Sequence, residues 1–270
     1  MGNTKIIALF NNKGGVSKTT TTYNLGWMLS LMGKKTLIVD SDPQCNLTGI
    51  CINSTKENKL EDLYKSDLSN IKSSIEPVFS GDPEPIKAAN CVEFKENDNL
   101  FLLPGHIQFS SYDTTYNIAE TMTGSLNLMK NVPGALRRML ELTAEKYSLD
   151  IILIDMSPSI SATNANILMQ SDYFIVPCAP DYFCYMAIES LVSIFPKWCE
   201  TYKKMGMNEI FQSATYKMKD KPPVFLGTIQ QRYRPRNGSP ARAFADWIAD
   251  INNLVADKLI PVLTANNMFC

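Results

Sequence analysis

The chain has 270 residues, 45% of them apolar and 20% charged, with a formal net charge of -1. This length and apolar fraction support one sizeable core and exclude a fibrous or disordered chain. The near-neutral balance excludes a chain that is basic throughout, so contact with a polyanion has to come from a local patch.

Ile6 to Phe10 is a five-residue apolar run, the pattern of a strand buried on both faces. A glycine-containing loop follows from Asn11. Leu25, Met28, Leu29 and Met32 then recur at helical spacing, and Gly33 stands where a helix would close. Thr36 to Val39 is a second short apolar run that ends in Asp40. Strand, loop, helix and strand in this order make a βαβ unit with a parallel sheet. Residues 52–98 are polar and weakly periodic, and are read as an inserted, variable segment beside the sheet. Further strands are expected at Leu100–Leu103, Ile151–Ile154, Tyr173–Val176 and Val224–Leu226. Helices are expected near 118–146, 162–170, 183–204 and 240–258, with Pro196 kinking or ending the third. Met186, Leu191 and Ile194 are assigned to the core. The fold class is α/β, a mostly parallel twisted sheet with helices on both faces, in a single domain over 1–270.

The loop carries the chemistry. A phosphate cradle needs small residues that let successive N–H groups curl around oxygens, and a helix N-terminus aimed at the anion. Gly14 and Gly15 supply the first. Lys18 is the phosphate lysine, Thr19 the Mg²⁺ hydroxyl, and Thr20 opens the helix with a further hydroxyl. Val16 and Ser17 complete the cradle. Against the pattern GxxxxGK[ST], Asn12 and Ser17 replace both glycines. The context is nevertheless the required one, after a buried strand and before a helix. Asp40, Asp42 and Asp155 all follow apolar runs, which places three carboxylates on the ligand-binding edge of a parallel sheet.

Lys13-Gly14-Gly15-Val16-Ser17-Lys18-Thr19-Thr20, with Val39-Asp40-Ser41-Asp42-Pro43-Gln44, resembles the deviant Walker A signature of the ParA/MinD group of P-loop ATPases. The resemblance runs from about residue 5 to 245. It implies ATP as nucleotide and Mg²⁺ as metal, with Thr19, Asp40 and Asp155 around the metal directly or through water. Asp42 would orient or deprotonate the attacking water. Asp42 to Thr48 and Asp155-Met156-Ser157-Pro158 resemble the two nucleotide-sensing switches. Lys13 would reach across a two-fold homodimer to the partner's phosphates, and so act with Lys18 and Asp42 in catalysis.

Several function classes fall away on composition. Seven scattered cysteines without a CxxC pair argue against zinc or a redox dithiol and fit reduced thiols in a cytoplasmic protein. Cys45 lies in the first switch but the second has no cysteine, against an iron–sulfur cluster. The single histidine, His106, is read as structural. Residues 1–5 do not form a signal peptide, no run reaches a membrane span, and the C-terminal residues are not a basic amphipathic helix, so no membrane partner is expected.

Arg232, Arg234, Arg236 and Arg242, with Tyr233 and Asn237 between, form a candidate patch for non-specific DNA, since phosphate contacts carry no sequence information. The segment from Pro180-Asp181 to Leu191 also resembles ParA proteins. The expected function is a ParA-type partition switch for a plasmid or chromosome, dimerising on ATP, binding DNA in that state, and stimulated by a ParB-like partner. It would then be cytoplasmic and nucleoid-associated. The alternatives are a ParA-like ATPase that positions a protein assembly without DNA, or an ATP-dependent ligase-type relative. The strand and adenine-cupping loop that usually finish ParA relatives are not apparent before Cys270, so against that pattern the chain is either C-terminally truncated or holds the base differently.

Overall fold

The computed structural model of the protein describes residues 4–269 apart from 58, 66–67, 83, 122–128, 234, 237–238 and 241. Seven strands build the central sheet: β1 Lys5–Leu9, β2 Thr36–Asp40, β3 Val92–Glu93, β4 Leu100–Leu103, β5 Ile151–Asp155, β6 Tyr173–Cys178 and β7 Val224–Gln230. Their order is β3-β4-β2-β5-β1-β6-β7, parallel throughout except that β3 runs antiparallel to β4. A separate two-residue pair joins β8 Pro235–Arg236 to β9 Ser239–Pro240.

The helices are α1 Lys18–Leu31, α2 Asn46–Cys51, α3 Leu60–Lys65, α4 Glu76–Ser80, α5 Tyr112–Thr121, α6 Val132–Tyr147, α7 Ala162–Gln170, α8 Tyr182–Met207, α9 Glu209–Gln212, α10 Arg242–Leu254 and α11 Ile260–Ala265. They cover both sheet faces, which is why the inner strands read as unbroken apolar runs. Side chains alternate between two cores. Ile6, Ala8, Leu37, Val39, Ile152 and Ile154 point to one, with α6, α7, α8, α10 and α11. Leu9, Ile38, Leu100, Leu102 and Leu153 point to the other, with α1 and α2.

The polar segment 52–98 does more than lie beside the sheet. It supplies edge strand β3 and feeds both cores, Ile71, Ile75 and Ile86 on one face and Leu63 and Phe94 on the other. The helix expected at 118–146 is two helices, with 122–128 outside the described residues. Pro133 sits in the first turn of α6, a position where a helix begins rather than continues. Conversely, α8 runs through Pro196 to Met207. Leu191 and Phe195 are fully buried and Ile194 nearly so, and this packing offsets the roughly 3 kcal/mol that a helical proline costs. Met186, expected in the core, is 48% exposed.

The apolar stripe on α1 is only half buried, with Leu25 and Leu29 packing partly against the core. Met28 and Met32 are exposed, while Thr22, Gly26 and Ser30 face the sheet. A Cβ on Gly26 would lie 2.5 Å from Ile38 Cγ2, so the helix passes β2 too closely for larger residues. Strand β7 also continues past the expected Leu226. Gly227, at φ 130, absorbs a register irregularity opposite Phe174 and Ile175, and pairing resumes to Gln230. Helix α10 begins at Arg242, after β9, and a π turn at Val255–Leu259 joins it to α11. The tail then returns to the sheet, where Phe225 N–H donates to the Met268 carbonyl at 2.7 Å. His106 caps the 3₁₀ turn Ile107–Ser111, its Nδ1 accepting from Gln108 N–H at 3.1 Å. Among the described residues no helix is long and apolar enough to cross a membrane.

Candidate functional site

The loop from Asn11 to Ser17 leaves the C-terminal end of β1 and opens α1. Val16 anchors it in the core and is fully buried. Gly15 (φ 73) and Ser17 (φ 64, ψ 31) are both left-handed, a backbone alternation that turns N–H groups inward to cradle an anion. Lys18, Thr19 and Thr20 form the first helical turn, two residues earlier than the start expected at Thr20. That turn presents free N–H groups and the positive end of the helix dipole.

The two glycine replacements have different explanations. Asn12 does not have a positive φ. Its Nδ2 donates to Ser190 Oγ at 2.8 Å and ties the loop to α8. Neighbouring Asn11 does the same to β6, donating to the Pro177 carbonyl at 2.8 Å. Ser17 occupies the left-handed region that glycine takes without cost, and its side chain makes no capping bond. A non-glycine there costs about 1–2 kcal/mol. Ser17→Gly is therefore expected to raise the melting temperature by roughly 2–4 °C without weakening the cradle, whose donors are backbone N–H groups. A melt that is unchanged or lowered would show that the serine hydroxyl has a structural partner.

Lys18 is 7% exposed, and its Nζ donates to the carbonyls of Asn11 (3.0 Å) and Lys13 (3.1 Å). Burial lowers its pKa to about 8, against the opposing charges of Asp155 and Asp42. The lysine remains mostly protonated at neutral pH, yet poorly solvated, and gains from an added anion.

The three aspartates converge at neighbouring strand ends, Asp40 pairing in register with Asp155. Asp155 is 1% exposed, and neither of its carboxylate oxygens has a hydrogen-bond partner. Burial raises its pKa to about 7, with Asp40 and Asp42 adding. The Thr19 hydroxyl and Lys18 pull the other way, the hydroxyl facing the carboxylate without satisfying either oxygen by hydrogen-bond geometry. Asp40 is committed differently. Its Oδ2 accepts from the Thr48 N–H (2.8 Å) and hydroxyl (2.7 Å), and its Oδ1 from Asp42 N–H (3.2 Å). Burial still raises it to about 6. Asp40 thus positions the segment 42–48. At the head of that segment, Asp42 accepts through Oδ1 from Gln44 N–H at 2.9 Å.

Among the described residues no three His, Cys, Asp or Glu side chains form a metal cage. One hydroxyl, Thr19, and one unpartnered carboxylate, Asp155, are the sparse donor set that Mg²⁺ accepts when phosphate oxygens and water complete its shell. The residues present fit that ion. Pro158 lies over Gly14, 3.9 Å from where its Cβ would be, so the segment after β5 packs on the loop. Asn164 holds this segment, its Nδ2 donating to the carbonyls of Ser157 (2.9 Å) and Ser159 (2.7 Å).

A protein-family model described as an AAA domain matches residues 4–208. The chromosome-partitioning ATPase Soj of Treponema pallidum is 32% identical over 206 residues, 76% of this chain and 66% of that protein. The chain belongs to the ParA/MinD-type family of P-loop ATPases. Two further relatives of this ParA/MinD-type protein are the sporulation initiation inhibitor Soj of Bacillus subtilis and the chromosome partitioning protein ParA of Caulobacter vibrioides. The first is 28% identical over 70% of this chain and 64% of its own length. The second is 27% identical over 95% and 80%. The chain therefore spans less than two thirds of the length of either Soj protein. Two solved structures share the fold at low identity. A Cyanothece McdA variant in complex with ATP has a TM-score of 0.65 at 19% identity, over 96% of this chain and 82% of that one. Cobyrinic acid a,c-diamide synthase of Mycobacterium smegmatis, with bound ADP and magnesium, has 0.63 at 23%, over 93% and 82%.

Lys13, the residue that marks the ParA/MinD-type loop, is held within its own chain. Its Nζ lies 2.6 and 2.5 Å from the two carboxylate oxygens of Asp181. Asp181 also caps α8, accepting from Cys184 N–H at 2.8 Å. Burial pushes its carboxyl up, but Lys13 and the cap bonds outweigh this and hold it below the usual range. The role of Asp181 was open to sequence reasoning only as an N-cap before an apolar helix; its contact across 168 positions was not. Thr48 was marked only as the end of the segment 42–48, with no sign of its bond to Asp40, and Asn164 carried no local signal.

Of the four arginines in the candidate patch, only Arg232 has a described side chain. Arg232 sets Nη1 on the Gly15 carbonyl, at the phosphate loop itself. Arg234 lies outside the described residues, as do the side chains of Arg236 in β8 and Arg242 at the start of α10.

Proposed function

We propose that the protein is an ATP-driven switch of ParA type, closing as a homodimer on ATP and Mg²⁺ and opening on hydrolysis. The observation that carries the reading is the buried Asp155 carboxylate, both oxygens unpartnered, facing Thr19 and Lys18 at the mouth of the loop. An uncompensated buried carboxylate is costly and persists where a cation completes it.

In this reading Gly14, Gly15, Val16, Ser17 and the first turn of α1 hold the phosphates, and Lys18 exchanges its two carbonyls for phosphate oxygens. Thr19 and Asp155 hold Mg²⁺, with Asp40 behind them; when bound, the ion neutralises charge on the phosphates. Asp42 orients the attacking water and takes its proton. Lys13 leaves Asp181 for the partner copy's phosphates. That ion pair is partly exposed, 22% and 43%, and is worth about 0–1 kcal/mol, so it opens cheaply. The cargo is DNA, through Arg234, Arg236 and Arg242, with a ParB-type protein stimulating hydrolysis, in plasmid or chromosome partition. One observation favours a second reading, a ParA-like ATPase that positions a protein assembly: Arg232 is drawn to the phosphate loop, which thins the basic patch.

The test is retention on non-specific duplex DNA with ATP, ADP or no nucleotide, for the native protein and Lys18→Ala. Retention that requires ATP and is lost in the variant is the expected result. Hydrolysis with no ATP-dependent DNA retention would overturn the DNA cargo and leave the second reading.

A further inference from the structure

We propose that Arg232 is a ligand for the nucleotide's phosphates, supplied to the loop from the far edge of the sheet. The inference rests on the nucleotide-binding reading above and names a residue that the phosphate-loop pattern does not contain.

Three observations carry it. The first is placement. Strand β7 ends on the same sheet edge as β1, and Gln231 N–H extends its pairing by donating to the Cys178 carbonyl at 2.8 Å. The Gln231 side chain then donates to the Thr21 hydroxyl in α1, which pins this segment to the helix that opens the phosphate loop. The second is backbone conformation. Arg232 is left-handed, at φ 61, a region an arginine adopts only when its surroundings impose it. The third is the side chain. Its Nη1 donates to the Gly15 carbonyl, and a Cβ on Gly15 would stand 3.2 Å from that nitrogen, so the glycine leaves room for the guanidinium.

That one bond uses one of five N–H donors, and the residue is exposed at the loop mouth. Among the described residues no carboxylate lies within ion-pair distance of Arg232, and the nearby Asp181 is paired with Lys13. A planar cation beside a phosphate cradle, with donors to spare and no acidic partner, is complementary to phosphate oxygens, which the guanidinium fork matches better than an ammonium does. A residue serving only to strap β7 to the loop would not need this charge in this backbone region.

The left-handed φ provides a clean test. Arg232→Gly deletes the guanidinium and puts at this position the residue that the backbone favours, so the free variant should melt at or above the native temperature. Binding of fluorescent mant-ADP and mant-ATP is then titrated for native, Arg232→Gly, Arg232→Lys and Lys18→Ala proteins. The expected result is a roughly 10- to 100-fold rise in Kd for Arg232→Gly, partly recovered in Arg232→Lys. A loss confined to mant-ATP supports the inference equally and assigns the contact to the terminal phosphate. Native affinity in Arg232→Gly overturns it. So does an affinity loss that accompanies a lowered melting temperature and is not relieved by lysine, because the arginine is then a strap. A native protein that binds neither nucleotide would instead overturn the nucleotide reading itself.

Discussion

Replacing Asp155 by asparagine is expected to stabilise the free protein while stopping hydrolysis. Burial and the neighbouring Asp40 and Asp42 charges raise the Asp155 pKa from 3.8 to about 7. Folding then favours the protonated form. Between about pH 4 and 7 the folded state binds more protons than the unfolded one, so stability falls as pH rises through that window and levels off above it. Asp40, raised to about 6, adds a slope of the same sign. An asparagine in place of Asp155 removes one buried negative charge, and its amide can donate to the remaining carboxylates. The gain at about pH 7.5 should be roughly 2 kcal/mol, below the full value of the shift because charged sites relax and admit water. Melting temperature should rise by about 4–8 °C and the pH dependence should flatten, leaving the Asp40 part. On the proposed function, phosphate release should fall by a factor on the order of 100 or more, since the metal would lose its carboxylate. Thermal melts from about pH 4 to 8 with a phosphate-release assay check both halves. A native protein that grows more stable across the rising half of that range would sink the electrostatic account, and a variant that still hydrolyses would remove Asp155 from the metal site.

Gly134→Ala is expected to be the most damaging small substitution in the scaffold. A Cβ there would stand 2.1 Å from the Tyr216 carbonyl oxygen, 2.6 Å from its carbon and 2.9 Å from the Lys217 oxygen. These are backbone atoms and cannot rotate away. Their segment is fixed from below by Asn131, whose Oδ1 accepts from Thr215 N–H (2.9 Å) and Tyr216 N–H (3.2 Å). Alanine improves helix propensity by up to about 1 kcal/mol, but the overpacking exceeds the usual cost of roughly 1–3 kcal/mol because α6 itself must shift. A net loss of about 2–3 kcal/mol should appear in urea melts. Gly206→Ala, in α8 with open space around its Cβ position, is the matched control and should be neutral or mildly stabilising. Equal behaviour of the two variants would show that the contact at Tyr216 yields easily.

The sheet was legible because its inner strands are covered on both faces, which leaves short apolar runs such as Ile151–Ile154 that few other arrangements produce. The phosphate loop was legible through Lys13, Gly14, Gly15 and Lys18, although Ser17 takes a conformation its residue type disfavours. Reading failed where a long-range contact overrode local preference. Gly26 lets α1 approach β2, so small residues face the sheet, Leu25 and Leu29 flank them, and only the Met28 and Met32 half of the stripe faces outward. The core contacts of Leu191 and Phe195 carry α8 through Pro196. Arg232 belongs to a run of arginines in sequence, but the pairing of β7 with β6 delivers it to Gly15, and spacing along the chain holds no trace of that.

The two borders of the sheet limit how copies of this chain can join. Strand β3 offers two residues, too few to template another strand, and it runs against its neighbour. Strand β7 is interrupted at Gly227, and the returning tail takes its Phe225 N–H through Met268. Strand addition, a common route to sheet aggregation, is thereby blunted at both ends. Shortening the chain ahead of Met268 would uncover one border and open a path to misassembly that bypasses the phosphate loop altogether.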